Sequence, residues 1–204
     1  MPLQTLHPTK RALLETVIKL METKAPEEIL SDEVLQISGI SKGSMYYHYK
    51  DWYEIIEDAI CERFGRYVDR SVELCEYAIT TAKNRDELVT ILKNVTRETQ
   101  KPEQIAVRYG RVRAIAMATQ SERMKEKLGY VQERLTQALE DLFREAKERG
   151  WASPDIEPRA VAVLVQAYTF GHVVDDFTPL HMSIEAWYKT IDAVVENVFF
   201  PPQK

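Results

Sequence analysis

The chain has 204 residues, 45% hydrophobic and 29% charged, with a formal net charge of −5 at neutral pH. That is the profile of an ordinary globular protein, long enough to bury a core without disulfides or metals. The acidic balance argues against a nucleic-acid coat protein but leaves room for a local basic surface that reads one DNA site.

Helical periodicity runs almost throughout, and strand-like alternation is absent over any useful length. The expected fold is all-α, with about nine helices. The first runs from about Thr9 to Lys24, where Leu13, Val17, Leu20 and Met21 form one apolar stripe. A short second helix opens at Ser31, its expected N-cap, with Asp32 and Glu33 in the first turn, and stops at Gly39. Only Ile40 and Ser41 separate it from a third piece, Lys42 to Tyr47. Asp51 is the expected N-cap of a long fourth helix, with Glu54 placed to complete a capping box. Asn84 or Asp86 opens a fifth helix, which ends near Gln100. Pro102 opens a sixth, ending near Ser121. Ser121 caps a seventh, which stops at Gly150. Pro158 suits the first position of an eighth, ended by Thr178 and Pro179. Ser183 caps a ninth that reaches Phe200, before Pro201 and Pro202.

The stretch from Ser31 to Ile56 carries the function. A short helix, a glycine turn and a second short helix form a helix-turn-helix, whose second helix enters the DNA major groove. That second helix is chemically suited to the task. Lys42 and Lys50 are cationic, and Ser41 and Ser44 are small hydrogen-bonders at an N-terminus that favours phosphate. Gly43 removes bulk where backbone approaches DNA, and Tyr47 and His48 reach phosphates or bases. No acid occurs from Lys42 through Lys50. Met45, Tyr46 and Tyr49 read as anchors that hold this helix to its neighbours.

Gly39-Ile40-Ser41-Lys42-Gly43-Ser44-Met45-Tyr46-Tyr47-His48-Tyr49 resembles the helix-turn-helix of the tetracycline-repressor (TetR) family. The family pattern is Gly-Val-Ser-x-Gly-(Thr/Ser/Ala)-(Leu/Met)-Tyr-x-(His/Tyr)-Phe, and the order of helices agrees along the whole chain. The resemblance implies a DNA-binding head, residues 1–52, and a ligand-binding and dimerisation body, residues 53–204. It implies that Lys42, Ser44, Tyr47, His48 and Lys50 touch double-stranded operator DNA. It also implies a homodimeric repressor released by a small molecule that shifts the fourth helix. Three positions depart from the pattern. Trp52 stands where lysine is usual, Ala25 and Pro26 replace a glycine and an aromatic residue, and Leu35 replaces a small alanine.

The eighth helix is apolar almost all round and must be covered on every face. With the ninth, it suggests a four-helix interface between two chains. The expected interface residues are Val161, Val165, Phe170, Trp187, Ile191 and Val195. The resemblance places an effector site among the fifth to eighth helices, with Tyr109, Arg113, Met117, Tyr130, Gln166, Tyr168 and His172 as the expected liners. Their mixture of apolar walls with few polar groups fits an apolar or aromatic effector. Arg108, Arg111 and Arg113 read equally well as a solvated, ion-paired face.

Other classes find little support. Cys61 and Cys75 lie fourteen residues apart. On one helix that is roughly 20 Å at ~1.5 Å per residue, too far for a disulfide. Met1 to Thr9 carries no apolar run, and Ala160 to Val174 is interrupted by Gln166 and His172, so neither a secretory leader nor a membrane span is expected. A cytoplasmic location follows as an expectation. His7, His48, His172 and His181 make no metal spacing, and no phosphate loop or nucleophile elbow occurs. No enzyme, metal or cofactor is expected.

Overall fold

The computed structural model describes residues 6–202, so the first five residues of the expected head and the last two of the body lie outside the described residues. Among the described residues there is no strand. Helix α1 is Pro8–Leu20, opened by the His7 ring, whose Nδ1 accepts from Thr9 N at 3.3 Å. It stops short of Lys24. Glu22 N and Thr23 N bond three residues back, to Lys19 O and Leu20 O, which tightens the chain into turns. After a single 3₁₀ turn at Pro26–Glu28 comes α2, Ser31–Ser38. Its N-cap is Leu30 with no side-chain bond, so Ser31 is the first helical residue and not the cap. Gly39 ends it at φ 69°, a left-handed conformation that glycine adopts without strain.

Helix α3, Lys42–His48, is capped by Ser41, whose Oγ accepts from Ser44 N at 3.1 Å. Helix α4, Trp52–Thr81, is capped by Asp51, which accepts from Glu54 N at 2.9 Å. The Glu54 carboxylate reaches back to Lys50 N at 2.7 Å, one residue beyond the position a capping box uses. Asn84 caps α5, Arg85–Gln100. A 3₁₀ turn at Pro102–Gln104 leads into α6, Ile105–Ala118. Ser121 caps α7, Glu122–Glu148, and Gly150 follows at φ 72°. Helix α8, Pro158–Gly171, gives way to a separate helical turn, Val173–Asp176, instead of running on. Ser183 caps α9, Ile184–Val194, and the chain closes in a π turn, Val195–Phe199.

Two apolar clusters make the core. One joins Leu13, Val17, Val34, Met45 and Tyr49 of the head to Ile55, Ala59, Ile60 and Phe64 of α4, and to Met124 and Leu128 of α7. The other joins Cys75, Ala78 and Ile79 of α4 to Leu142 and Phe143 of α7 and to Phe199 and Phe200. Both clusters are thus built on α4 and α7. Arg123 of α7 pins the two helices near the head, bonding Glu57 at 2.6 Å and Asp58 at 2.7 Å.

Arg108 of α6 is 4% exposed and grips Asp176 through two bonds of 2.9 and 2.8 Å. Its Nη1 also donates to the Lys101 carbonyl at 3.3 Å. Far from being part of a solvated face, it staples the turn after α8 onto α6. Asp176→Ala strips the carboxylate from a buried guanidinium, a change that typically costs about 3–5 kcal/mol. Urea unfolding of this variant is expected to show a loss of that size; a loss under ~1 kcal/mol would mean that the pair does not hold the turn.

Candidate DNA-binding face and ligand cavity

On α3 the helical period separates anchors from probes. Met45 and Tyr49 are buried, and Lys10 Nζ lies 4.4 Å from the centre of the Tyr49 ring. Lys42, Gly43, Tyr46, Tyr47 and Lys50 face solvent, as does Ser41, and Ser44 is half-buried. Tyr47 is 85% exposed. Tyr46, expected as an anchor, is about half exposed and joins the outer face instead. Tyr53, in the first turn of α4, is a further exposed phenol that sequence periodicity alone did not single out. Inside the protein nothing stands within 4 Å of a Cβ placed on Gly43, so the chain's own packing does not require glycine there.

His48 is half-buried, its ring 4.4 Å from that of His7 and edge-on to Tyr47 at 5.0 Å. Desolvation, then the nearby His7 and Lys10, lower its pKa. The shift favours the neutral form of the imidazole beside Tyr47.

The body encloses a cavity of about 100 Å³ walled by α4, α5, α6, α7, α8 and the terminal turn. Its apolar lining includes Leu74, Leu92, Leu139, Leu142, Phe143 and Phe199. Gln166 and Tyr168 reach it, as expected. Gln166 is fully engaged, however. Its Nε2 donates to Thr136 Oγ1 at 3.1 Å and to Ala162 O at 3.0 Å, and its Oε1 accepts from Gln132. Burial raises the Tyr168 pKa to about 12, so its phenol stays protonated.

The other five expected liners lie elsewhere. Tyr109 bonds the Asp176 carbonyl at 3.2 Å and stacks on Phe177. Arg113 is exposed and pairs with Glu27 at 3.1 Å. Met117 packs against the head-side core, and Tyr130 is 71% exposed. His172 is buried against Trp187, 4.9 Å between ring centres, with Nδ1 3.1 Å from Gln100 Oε1. On a helix apolar all round, side-chain chemistry does not reveal which stripe faces the cavity. The sequence reading also missed Tyr67, Thr96, Thr99 and Arg111, which do line it. Tyr67, Ser71 and Leu74 sit at the i, i+4, i+7 spacing of α4, the pattern that marks them as one inward stripe.

The expected interface residues also face inward. Val161, Ile191 and Val195 are buried, Val165 lines the cavity, Phe170 packs on Arg111, and Trp187 stacks on His172. The outward stripe of α8 is Ala160, Val163, Leu164, Ala167 and Gly171. Val163 and Leu164 are each at least half exposed. On α9 the outward positions are Glu185, Ala186, Lys189, Thr190 and Ala193.

This architecture is the all-helical fold of TetR-family regulators. E. coli NemR in its reduced form superposes with TM-score 0.69 at 17% identity, over 97% of this chain and 100% of that one. A candidate transcriptional regulator from Saccharomonospora viridis, in complex with choline, gives 0.70 at 14% identity, over 95% and 98%. The regulatory protein TetR from Rhodobacter sphaeroides gives 0.61 at 17% identity, over 89% and 95%. No protein-family model matches the sequence, and no curated relative does.

Burial, then the Arg108 cation, lowers the pKa of His172. The unfolded chain takes up a proton near the ordinary value of about 6.5, whereas the folded chain does so only at lower pH. The neutral ring's contribution is therefore whole above that value and declines as pH falls through it. Melting temperature is expected to drop between pH 7.5 and 5.5, and less steeply for His172→Gln. Equal slopes for the two proteins would remove His172 from this role.

Proposed function

We propose that the chain is a transcriptional repressor of the TetR type. It binds palindromic operator DNA as a homodimer, through α3, and lets go when a small molecule fills the body cavity. The observation that carries the reading is the outer face of α3. Four side chains able to donate to phosphate or bases, Lys42, Tyr46 and Tyr47 on α3 and Lys50 just beyond its end, stand exposed with no acid among them, held from behind by Met45 and Tyr49. An exposed phenol such as Tyr47 has no apolar work to do inside the protein. The similarity in fold to solved regulators supports the same conclusion. The reading includes no catalytic role and no cofactor, and it places the protein in the cytoplasm, with the DNA.

Dimerisation fits the outward stripe of α8. Ala160, Ala167 and Gly171 permit close helix approach, while Val163 and Leu164 supply apolar area. A second copy related by a two-fold axis meets this self-complementary stripe, and two-fold symmetry matches a palindromic operator.

Release works through α4. Its first half packs in the head cluster and its second half lines the cavity. Ligand favours whichever α4 placement accommodates it, and coupling requires that this conformer bind DNA less well.

The test is a gel shift with the chain's own upstream DNA. Tyr47→Ala is expected to weaken binding by about 1–3 kcal/mol per half-site with the fold intact, and Lys42→Ala to reduce the salt slope by about one. Wild-type affinity in Tyr47→Ala at physiological salt would remove α3 from the DNA contact. In sedimentation, wild type is expected as a dimer at micromolar concentration, and Leu164→Glu as a monomer, because the charge cannot be solvated in an apolar interface. A dimer that survives Leu164→Glu unchanged would place the interface elsewhere.

A further inference from the structure

Arg111 of α6 reaches the cavity wall and is 4% exposed. Buried cations are normally paired with a carboxylate, as Arg108 is with Asp176 one turn earlier. Arg111 forms no ion pair among the described residues. Its guanidinium lies 3.9 Å from the centre of the Tyr67 ring and 4.1 Å from that of Phe170, and its Nε has no hydrogen-bond partner. Burial lowers its pKa, yet an arginine does not discharge within the physiological range. The aromatic rings stabilise the cation from its faces. They do not satisfy the buried Nε donor, which points to a missing acceptor.

The rest of the cavity does not compete for that role. The hydroxyls of Ser71, Thr96, Thr99 and Thr169 each donate to a carbonyl one turn back in their own helix. Gln166 is spent on Thr136, Ala162 and Gln132. The remaining wall is aliphatic and aromatic, with the uncharged phenols of Tyr67 and Tyr168 and the thiol of Cys75.

We infer that the effector is a small monoanion, a carboxylate with a short apolar or aromatic tail, whose carboxylate accepts from the unpartnered Nε of Arg111 and balances its charge. This deepens, and rests on, the proposal that the cavity is the effector site. The planar fork of a guanidinium matches a carboxylate in geometry as well as charge. One guanidinium balances one negative charge, which disfavours a dianion. The same fixed cation repels a quaternary ammonium. The volume of about 100 Å³ sets the size of the tail, because an apolar cavity of ~150 Å³ accepts benzene.

The experiment is isothermal titration calorimetry on the full chain. Sodium benzoate and sodium hexanoate are compared with benzamide, hexanamide and benzyltrimethylammonium. Wild type is expected to bind at least one acid about tenfold to a hundredfold more tightly than its amide, the range for a hydrogen bond to a charged group. The acid–amide comparison needs no variant and so does not depend on the folding of one. Arg111→Met is expected to lose the preference for acid, and Arg111→Lys to keep part of it. Without ligand, Arg111→Met is expected to melt a few degrees higher, because an unpaired buried charge has gone.

Equal binding of acid and amide, preference for the ammonium, or no binding by any acid would overturn the inference. So would a lower melting temperature for Arg111→Met with acid binding retained, which would assign Arg111 to structure alone. A parallel gel shift separates this from the functional reading. Acids that bind but leave the DNA complex intact uphold the ligand class and refute release through the cavity. Release by the amides but not by the acids upholds the regulator and refutes the carboxylate.

Discussion

Everything in this molecule hangs on the packing of α4 along α7. Helix α4 has thirty residues, about 45 Å at ~1.5 Å per residue, and belongs to both apolar clusters. Ile55, Ile56, Ala59 and Ile60 lock its first half into the head, while Cys75, Ala78 and Ile79 lock its second half into the body. Arg123 fastens it to α7 through Glu57 and Asp58 at the head end. A helix held at both ends in close-packed surroundings cannot bend freely, so a displacement at the cavity has to be accommodated by the head.

Two buried arginines on α6, one turn apart, show how a fold divides its charges between structure and function. Arg108 is matched by Asp176 and by backbone carbonyls, so its burial is compensated inside the chain. Arg111 lies over the rings of Tyr67 and Phe170, has no ion pair among the described residues, and borders the cavity. The first holds the turn after α8 in place. The second leaves a local cost in the free protein; under the proposed function, a ligand of opposite charge would relieve it and so supply the differential interaction a switch requires.

Local chemistry was legible in the sequence, and long-range direction was not. Asp51, Ser121 and Ser183 cap their helices as expected, and of the two openers offered for α5 it is Asn84 that caps it, because a cap is decided by a side chain and the amides two or three residues on. Most of the outward face of α3 was readable for the same reason, with Tyr46 misplaced among the anchors because an aromatic residue beside two buried ones reads as core. Helix α8 offered no such contrast. Its Val161 and Val165 point inward and its Val163 and Leu164 outward, yet all four are aliphatic. The early end of α1 and the break after Gly171 depend on how turns close against the packed body. The burial of Arg111 depends on α4 and α8 meeting around it, which no spacing within α6 encodes.

The distance between the two heads of the proposed dimer tests the link through α4 most directly. Nitroxide labels on the exposed Gln36 of α2 in each protomer, read by pulsed electron paramagnetic resonance, report that distance with and without sodium benzoate. On DNA the recognition helices should sit about 34 Å apart, the spacing of successive major-groove faces. Saturating ligand is expected to move the labels to a different, still narrow distribution while operator affinity falls. An unchanged distribution accompanied by loss of DNA binding would contradict transmission through α4.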